Sequence, residues 1–260
     1  MTYVMSDIHG DLDRFRSVMD QIHLKADDHL YVLGDVIDGY PYGLDILYEL
    51  RDMPNATVLL GNHEKMCYDS MVSDNGSRLL SNWIKNGGQV TMNALFRMET
   101  TEIEEIMDFI RKMPLTATVT VNDREYLLLH SCPPHLYNGK TLTKENVWDF
   151  SLWTRVEPDD ILPDGRIFIF GHTPTESYQD KVPLSIYHGK GKIGIDCGSG
   201  NPHEACRLAC LRLEDMKEYY DSVSDEMGSI YYKGFSEEEI TRFEECLDRI
   251  RKNLEEWQKS

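Results

Sequence analysis

The chain has 260 residues, of which 41% are hydrophobic and 28% charged, and this length can bury a core of several layers. Its formal net charge of -18 repels nucleic-acid backbones and anionic lipid, so we expect neither nucleic-acid nor membrane binding. An anionic substrate is compatible with this charge only where bound cations reverse the local potential.

Short apolar strands alternate with amphipathic helices at the start of the chain. Strands are predicted at residues 3–5, 29–33 and 56–60, and helices at 11–22 and 43–50. This alternation predicts a parallel sheet with its ligand site at the carboxyl ends of the strands.

A less regular helical region follows, and strands then dominate. Residues 65–93 are predicted to be helical with breaks, and 102–113 form another amphipathic helix. Six more strands are predicted at 117–121, 125–130, 167–170, 184–187, 192–196 and 207–213. A parallel first half and a largely antiparallel second half predict an α/β fold with two sheets packed face to face.

The last 40 residues differ from the rest. Ser236 and Glu239 resemble a capping box, and apolar residues then recur at steps of three and four up to Trp257. We therefore predict a domain over residues 1–220 and a helical extension over 221–260. The extension either docks on its own domain or forms a dimer interface.

Polar loops follow five of the predicted strands and bring together ligand types that suit a divalent metal. The oxygen and imidazole donors are Asp7, His9, Asp35, Asn62, His130 and His172. With no thiolate among them, they favour manganese, with iron, zinc, nickel or magnesium as alternatives. Six donors exceed the needs of one tetrahedral ion, so we predict two ions that share the carboxylate of Asp35.

Two further residues predict proton transfer beside the metals. His63 follows Asn62 directly, so it should lie near the ions without necessarily binding them. A histidine there can protonate a departing alkoxide, which typically contributes a factor of about 10²–10⁴ to the rate. Asp38 is the candidate carboxylate that fixes its tautomer.

Taken in order, these motifs resemble the signature of the calcineurin-like metallophosphoesterase superfamily. They are most similar to its branch of serine/threonine protein phosphatases and diadenosine tetraphosphate hydrolases. Trp83 with Asn86-Gly87-Gly88 resembles the bacterial and phage members in particular. The resemblance implies a four-layer α-β-β-α sandwich of two mixed sheets.

The resemblance also implies how the metals are shared and what they do. Asp7 and His9 would hold one ion together with Asp35, and a metal-bridging hydroxide would attack phosphorus directly. The second ion would be held by Asp35, Asn62, His130 and His172.

Phosphate contacts are implied for Asn62 and Arg155, but one usual arginine is missing. Its place is taken by Gly39, so a bidentate phosphate donor is lost. Arg78 and Lys85 are the alternatives that could replace it.

We expect a phosphomonoesterase, favouring a serine/threonine protein phosphatase that acts on phosphorylated protein. The alternatives are a bis(5'-nucleosyl)-tetraphosphatase that acts on nucleotides and a non-catalytic scaffold with a degraded site. The Gly39 change favours the scaffold, whereas the intact pair of His63 and Asp38 opposes it.

Location is predicted from what the sequence lacks. No apolar stretch approaches the roughly 20 residues that cross a bilayer, and Asp7 interrupts the first apolar run too early for a signal peptide. The six cysteines are scattered without a Cys-x-x-Cys pair, which predicts reduced thiols. We therefore expect a cytoplasmic protein.

Overall fold

Two five-stranded sheets form the centre of the computed structural model, which describes residues 1–73, 76–139, 143–201, 205–222 and 245. The strands are β1 (Thr2–Met5), β2 (His29–Val32), β3 (Ala56–Val58), β4 (Thr116–Val121), β5 (Arg124–Leu129), β6 (Ile167–Phe170), β7 (Tyr187–Gly189), β8 (Lys192–Gly194), β9 (Ala209–Arg212) and β10 (Lys217–Tyr220). The helices are α1 (Leu12–Ile22), α2 (Gly43–Asp52), α3 (Asn62–Val72), α4 (Gly76–Trp83), α5 (Gln89–Leu95), α6 (Thr100–Lys112) and α7 (Lys144–Trp153).

The first sheet has the order β10-β9-β1-β2-β3. Strands β1, β2 and β3 are parallel, as the alternation of strands and helices predicts, and β9 and β10 add to them in the antiparallel sense. Met5 pairs with Val32, so the loops after β1 and β2 leave the sheet side by side. The carboxyl ends of the three parallel strands therefore form one edge, where their polar loops meet.

The second sheet has the order β4-β5-β6-β8-β7, and its three inner strands are parallel. Only the edge strands β4 and β7 pair in the antiparallel sense. This half is therefore less antiparallel than the strand pattern predicts, because the long connection from β5 to β6 crosses over instead of turning back. The crossover places the ends of β5 and β6 beside each other.

Apolar side chains fill the space between the sheets and cover their outer faces. Between the sheets, Val4 and Leu33 of one meet Leu128 and Ile169 of the other. The outer face of the first sheet is covered by helix residues such as Phe15, Leu47 and Ile106, and that of the second by Val156, Leu162 and Tyr178. The expected arrangement of two mixed sheets with helices is confirmed.

Some elements differ from the sequence-based expectation. Helix α7 and strand β10 were not predicted, and β7 starts at Tyr187 rather than at residue 184. The predicted C-terminal helix lies outside the described residues apart from residue 245. No helix in the described ranges is both long and apolar enough to cross a bilayer.

Candidate metal centre

The loops that follow β1 and β2 run side by side and are joined by backbone hydrogen bonds. The N–H groups of Asp7 and His9 donate to the carbonyls of Gly34 and Asp35 at 3.1 and 2.9 Å. Several polar residues of this edge adopt a positive φ, which turns the chain sharply just after a strand. The φ angles are 53° for Asp7, 51° for His9, 53° for Asp35, 70° for Asp38 and 63° for His172.

The fully buried carboxylate of Glu64 holds these loops in place by accepting backbone hydrogen bonds. Its Oε2 atom accepts the N–H groups of Asp35 and Gly61 at 2.9 and 3.1 Å, and its Oε1 atom accepts those of Val36 and Ile37 at 2.8 and 3.2 Å. Burial, together with the charge of Asp35, raises the pKa of Glu64. Sequence reasoning assigned no role to Glu64, because three of its four partners, Asp35, Val36 and Ile37, lie 27 to 29 residues earlier in the chain.

Imidazoles surround the carboxylate of Asp35. Its Oδ2 atom lies 3.4 Å from Nε2 of His130, 3.8 Å from Nε2 of His63 and 3.9 Å from Nε2 of His9. Two groups of potential metal ligands share Asp35, and within each group the ligand atoms lie within 4.8 Å of one another. One group is His9, Asp35 and His63, and the other is Asp35, His130 and His172.

Asp7 lies beside these groups and belongs to neither. Its carboxylate accepts the backbone N–H of His172, 3.1 and 3.0 Å from its two oxygens, and the hydroxyl of Ser6. Each carboxylate oxygen has two lone pairs, so these hydrogen bonds leave Asp7 able to bind a cation as well.

Asn62 and His130 present acceptor atoms to each other. Nδ1 of His130 donates to the carbonyl of Leu33 at 2.8 Å, so this nitrogen carries the ring proton. Burial lowers the pKa of His130, and the Nε2 atom of the neutral ring is then an acceptor. It lies 2.7 Å from Oδ1 of Asn62, which is also 2.9 Å from Nδ1 of His172. Two acceptors this close are favourable around a positive charge, so this corner fits a divalent cation.

The remaining potential ligands are also held in the states that bind metals. Burial and the charge of His63 lower the pKa of His9 to about 4, and burial and His130 lower the pKa of His172 to about 3. Burial alone would raise the pKa of Asp35, but the surrounding histidines lower it. At neutral pH the site thus offers neutral imidazoles and an ionised carboxylate.

Two more buried carboxylates, those of Asp7 and Asp196, add negative charge to this part of the molecule. Burial raises the pKa of Asp7, and the charges of Asp196 and Asp35 raise it further. Burial likewise raises the pKa of Asp196, with a further contribution from Asp35. Several like charges are costly to bury together without a counter-charge, and a bound divalent cation would supply one. Sequence reasoning missed Asp196.

The pKa of His63 is shifted in the opposite direction from those of the neighbouring histidines. Its Nδ1 atom lies 2.7 Å from Oδ2 of Asp38, as the sequence predicts. Burial alone would lower the pKa of His63, but the charges of Asp35 and Asp38 and the hydrogen bond to Asp38 outweigh burial and raise the pKa to about 9. The ring of His63 also meets that of His9 edge to face, with 4.8 Å between their centres.

The charged side chains predicted to grip phosphate are exposed. Arg155 is exposed, and its charge contributes to lowering the pKa values of His172 and Asp196. Arg78 and Lys85 are exposed on α4 and in the turn that follows it.

An open cavity lies next to the donor groups, between α3, α4 and α7. The indole of Trp153 is 40% exposed and meets the ring of His172 edge to face, with 6.3 Å between their centres. Beyond the indole is a cavity of about 450 Å³ lined by Lys65, Met66, Asp69, Leu79, Asn82, Asp149 and Trp153.

Comparisons with known proteins agree with this geometry. A family model described as calcineurin-like phosphoesterase matches residues 2–195. The chain is 25% identical over 184 residues to serine/threonine-protein phosphatase 1 of Salmonella typhimurium, covering 68% of this chain and 81% of that protein.

Two further similarities point the same way. The chain is 26% identical over 131 residues to a symmetrical bis(5'-nucleosyl)-tetraphosphatase of Erwinia tasmaniensis, covering 49% of this chain and 42% of that protein. The match therefore spans less than half of the tetraphosphatase. A crystal structure provisionally assigned as a diadenosine tetraphosphatase shares the fold, with a TM-score of 0.55, 14% identity and coverage of 84% of this chain and 91% of that one.

Proposed function

Because this chain belongs to the calcineurin-like phosphoesterase family, we propose that it is a dinuclear metal-dependent phosphoesterase that hydrolyses phosphomonoesters. We favour a serine/threonine protein phosphatase-like activity on phosphorylated protein. The observation that carries the proposal is that Asp35 belongs to both groups of potential metal ligands, one of which also contains the imidazole of His63.

We propose that Asp7, His9 and Asp35 hold one divalent cation. A second is held by Asp35, Asn62, His130 and His172. Manganese is the favoured metal, since the ligands are carboxylate, amide and imidazole groups without thiolate. The two cations would neutralise phosphate charge and lower the pKa of a water that attacks phosphorus.

The other residues act on the substrate and on the proton. Asn62 and Arg155 contact phosphate oxygens and orient the ester. As the bond from phosphorus to the leaving oxygen breaks, His63 donates the proton on Nε2 to that oxygen. Asp38 accepts from Nδ1 and so holds the ring in the required orientation.

One observation supports a nucleotide substrate as a second candidate. The exposed indole of Trp153 lies against His172 and offers a flat surface on which a base can stack. An activity like that of a bis(5'-nucleosyl)-tetraphosphatase would use this surface. A scaffold with a degraded site is the third candidate, and it predicts no turnover.

The test measures metal content and turnover together. Manganese-loaded protein is assayed with p-nitrophenyl phosphate, a phosphoserine peptide and diadenosine tetraphosphate, and bound manganese is counted by elemental analysis. We expect two manganese ions per chain, and Asp35→Asn should lower both the manganese content and kcat, the latter at least about 10³-fold. Asp123→Asn is the matched control, because Asp123 is an exposed aspartate with a similar φ of 59°.

The outcomes separate the candidates. Faster turnover of the phosphopeptide supports the phosphatase, and faster turnover of the dinucleotide supports the second candidate. A single bound ion, or unchanged turnover in Asp35→Asn, would contradict the dinuclear proposal. Absence of turnover with all three substrates would support the third candidate, a non-catalytic scaffold.

We also propose that residues 1–220 form the phosphoesterase domain, that 221–260 form a helix on it or at a dimer interface, and that the protein is cytoplasmic. The dimer has a direct test. The molar mass of the full chain in solution, measured by light scattering, should be twice 30.1 kDa, and the mass of a single chain would contradict it.

A further inference from the structure

The carboxylate of Asp38 is fully buried and is held by two residues besides His63. Its Oδ2 atom accepts the indole N–H of Trp83 at 2.7 Å, next to the bond from His63. Its Oδ1 atom accepts the hydroxyl of Thr91 at 2.6 Å. Both oxygens are therefore fixed by protein donors before any substrate is bound.

The turn between α4 and α5 leaves room for the indole of Trp83 beside Asp38. Trp83 ends α4, and residues Ile84–Gly88 form a wide turn in which Gly87 has a φ of 94°. A Cβ atom on Gly88 would lie 2.4 Å from Nε1 of Trp83 and 2.5 Å from two ring carbons. Only glycine leaves room for the indole here, which gives the Asn86-Gly87-Gly88 motif a physical reason.

Thr91 holds the backbone N–H of Asp38 as well as its carboxylate. Its hydroxyl oxygen accepts the N–H of Asp38 at 3.0 Å while its proton goes to Oδ1 of the same residue. Thr91 is 3% exposed, and Trp83 is fully buried. These hydrogen bonds therefore lie away from water, where losing one is most costly.

We propose that Trp83 and Thr91 are positioning residues for proton donation, acting on His63 through the carboxylate of Asp38. The inference rests on the proposed function, in which His63 protonates the leaving oxygen. With Asp38 fixed at both oxygens, its acceptor stays in line with Nδ1 of His63, and Nε2 faces the side of Asp35. Neither residue touches the substrate.

The test compares a poor leaving group with a good one. A good leaving group departs without protonation, so a defect in proton donation affects mainly the poor one. For Trp83→Phe and Thr91→Val, kcat for phenyl phosphate should fall about tenfold, while kcat for 2,4-dinitrophenyl phosphate stays within about threefold. KM should change little, and Trp148→Phe, at a half-buried tryptophan on α7, should behave like the wild type.

A double-mutant comparison separates positioning from a general structural role. In the His63→Ala background, adding Trp83→Phe or Thr91→Val should change kcat less than about twofold, since both residues act through His63. Equal losses with the two substrates, or full additivity with His63→Ala, would overturn the inference. Thr91→Val, which keeps the volume of the side chain, gives this result even if Trp83→Phe fails to fold.

A measurement without turnover distinguishes this inference from the proposed function. The indole N–H resonance of Trp83, assigned by its loss in Trp83→Phe, should move in Asp38→Asn and stay fixed in Asp123→Asn. A fixed resonance in Asp38→Asn overturns the inference whatever the activity is. If the resonance moves but His63→Ala leaves the dependence on leaving group unchanged, the assignment of His63 in the proposed function fails instead.

Discussion

Two histidines on different sides of the candidate metal centre have pKa values that are shifted in opposite directions. On the side of Asn62, His172 has a pKa lowered to about 3, whereas on the side of Asp38, His63 has a pKa raised to about 9. Both rings are largely shielded from water, so burial does not explain the difference. The partners do: His172 faces another imidazole and an amide, and His63 faces two carboxylates.

Under the proposed function, this difference in pKa would suit the histidines to separate tasks. A neutral imidazole offers a lone pair to a cation, and a protonated one offers a proton to a leaving group. Asp35 belongs to both sides, because its Oδ2 atom lies 3.4 Å from His130 and 3.8 Å from His63. In the proposed reaction, the neighbours of each histidine would thereby separate metal binding from proton transfer.

The largest expected effect comes from removing one histidine on each side. His63→Ala should lower kcat for phenyl phosphate about 10²–10⁴-fold and leave the number of bound manganese ions unchanged. His172→Ala should lower the number of bound manganese ions, because it removes a ligand. Elemental analysis and steady-state kinetics on the same samples measure both effects. Loss of manganese in His63→Ala would instead make His63 a ligand, which the grouping of His63 with His9 and Asp35 would then explain.

An intermediate effect is expected on the pH dependence. The proposed reaction needs His63 protonated, so kcat for phenyl phosphate should fall as the pH rises through the pKa of His63. The charge and hydrogen bond of Asp38 help raise this pKa, so Asp38→Asn should move the alkaline limb to lower pH by about one unit or more. The measurement is kcat from pH 6 to pH 10 for the wild type and the variant, with Asp123→Asn as the control. A limb that keeps its position would assign the proton to another group.

The smallest expected effect concerns Gly39, which follows Asp38 in the chain. Gly39 has a φ of 74°, and a Cβ atom there would lie 3.1 Å from the carbonyl oxygen and 3.2 Å from the Cβ of His9. Gly165 has a similar φ of 79° and open space around it, so Gly165→Ala is the matched control. Each substitution should lower the free energy of unfolding by about 1 kcal/mol because of its backbone conformation.

Only Gly39→Ala should also weaken manganese binding, because it displaces His9. Denaturant unfolding measures the stability of both variants, and calorimetric titration with manganese measures the affinity. Equal manganese affinities in the two variants would show that the contact with His9 is without consequence.

The sequence predicted those parts of the fold and site that depend on local patterns. Strands β1, β2 and β3 were predicted because short apolar runs end in polar segments, and four of the proposed metal ligands, Asp7, His9, Asp35 and Asn62, follow these strands. Helix α7 was missed because its apolar residues do not fall on one face, and β10 was missed because it is short and follows another strand closely.

What could not be predicted depends on contacts between distant parts of the chain. Trp83 was noticed for its motif, but its hydrogen bond to Asp38 spans 45 residues, and that of Thr91 spans 53. Glu64 follows His63 directly, yet its four backbone partners lie in loops that only the folded sheet brings together. Ligand types can be read from a sequence, whereas the residues that hold them require the fold.

The site lowers the stability of the fold through the positive φ angles of Asp7, His9, Asp35, Asp38 and His172. A left-handed backbone costs a residue with a side chain about 1 kcal/mol relative to glycine, or roughly 5 kcal/mol for the five together, which rivals the net stability of many domains. Mutation to glycine would relax the backbone, but at Asp7 and Asp38 it would also leave buried hydrogen-bond donors without an acceptor. The backbone strain therefore falls at residues whose side chains form buried hydrogen bonds or belong to the groups of potential metal ligands.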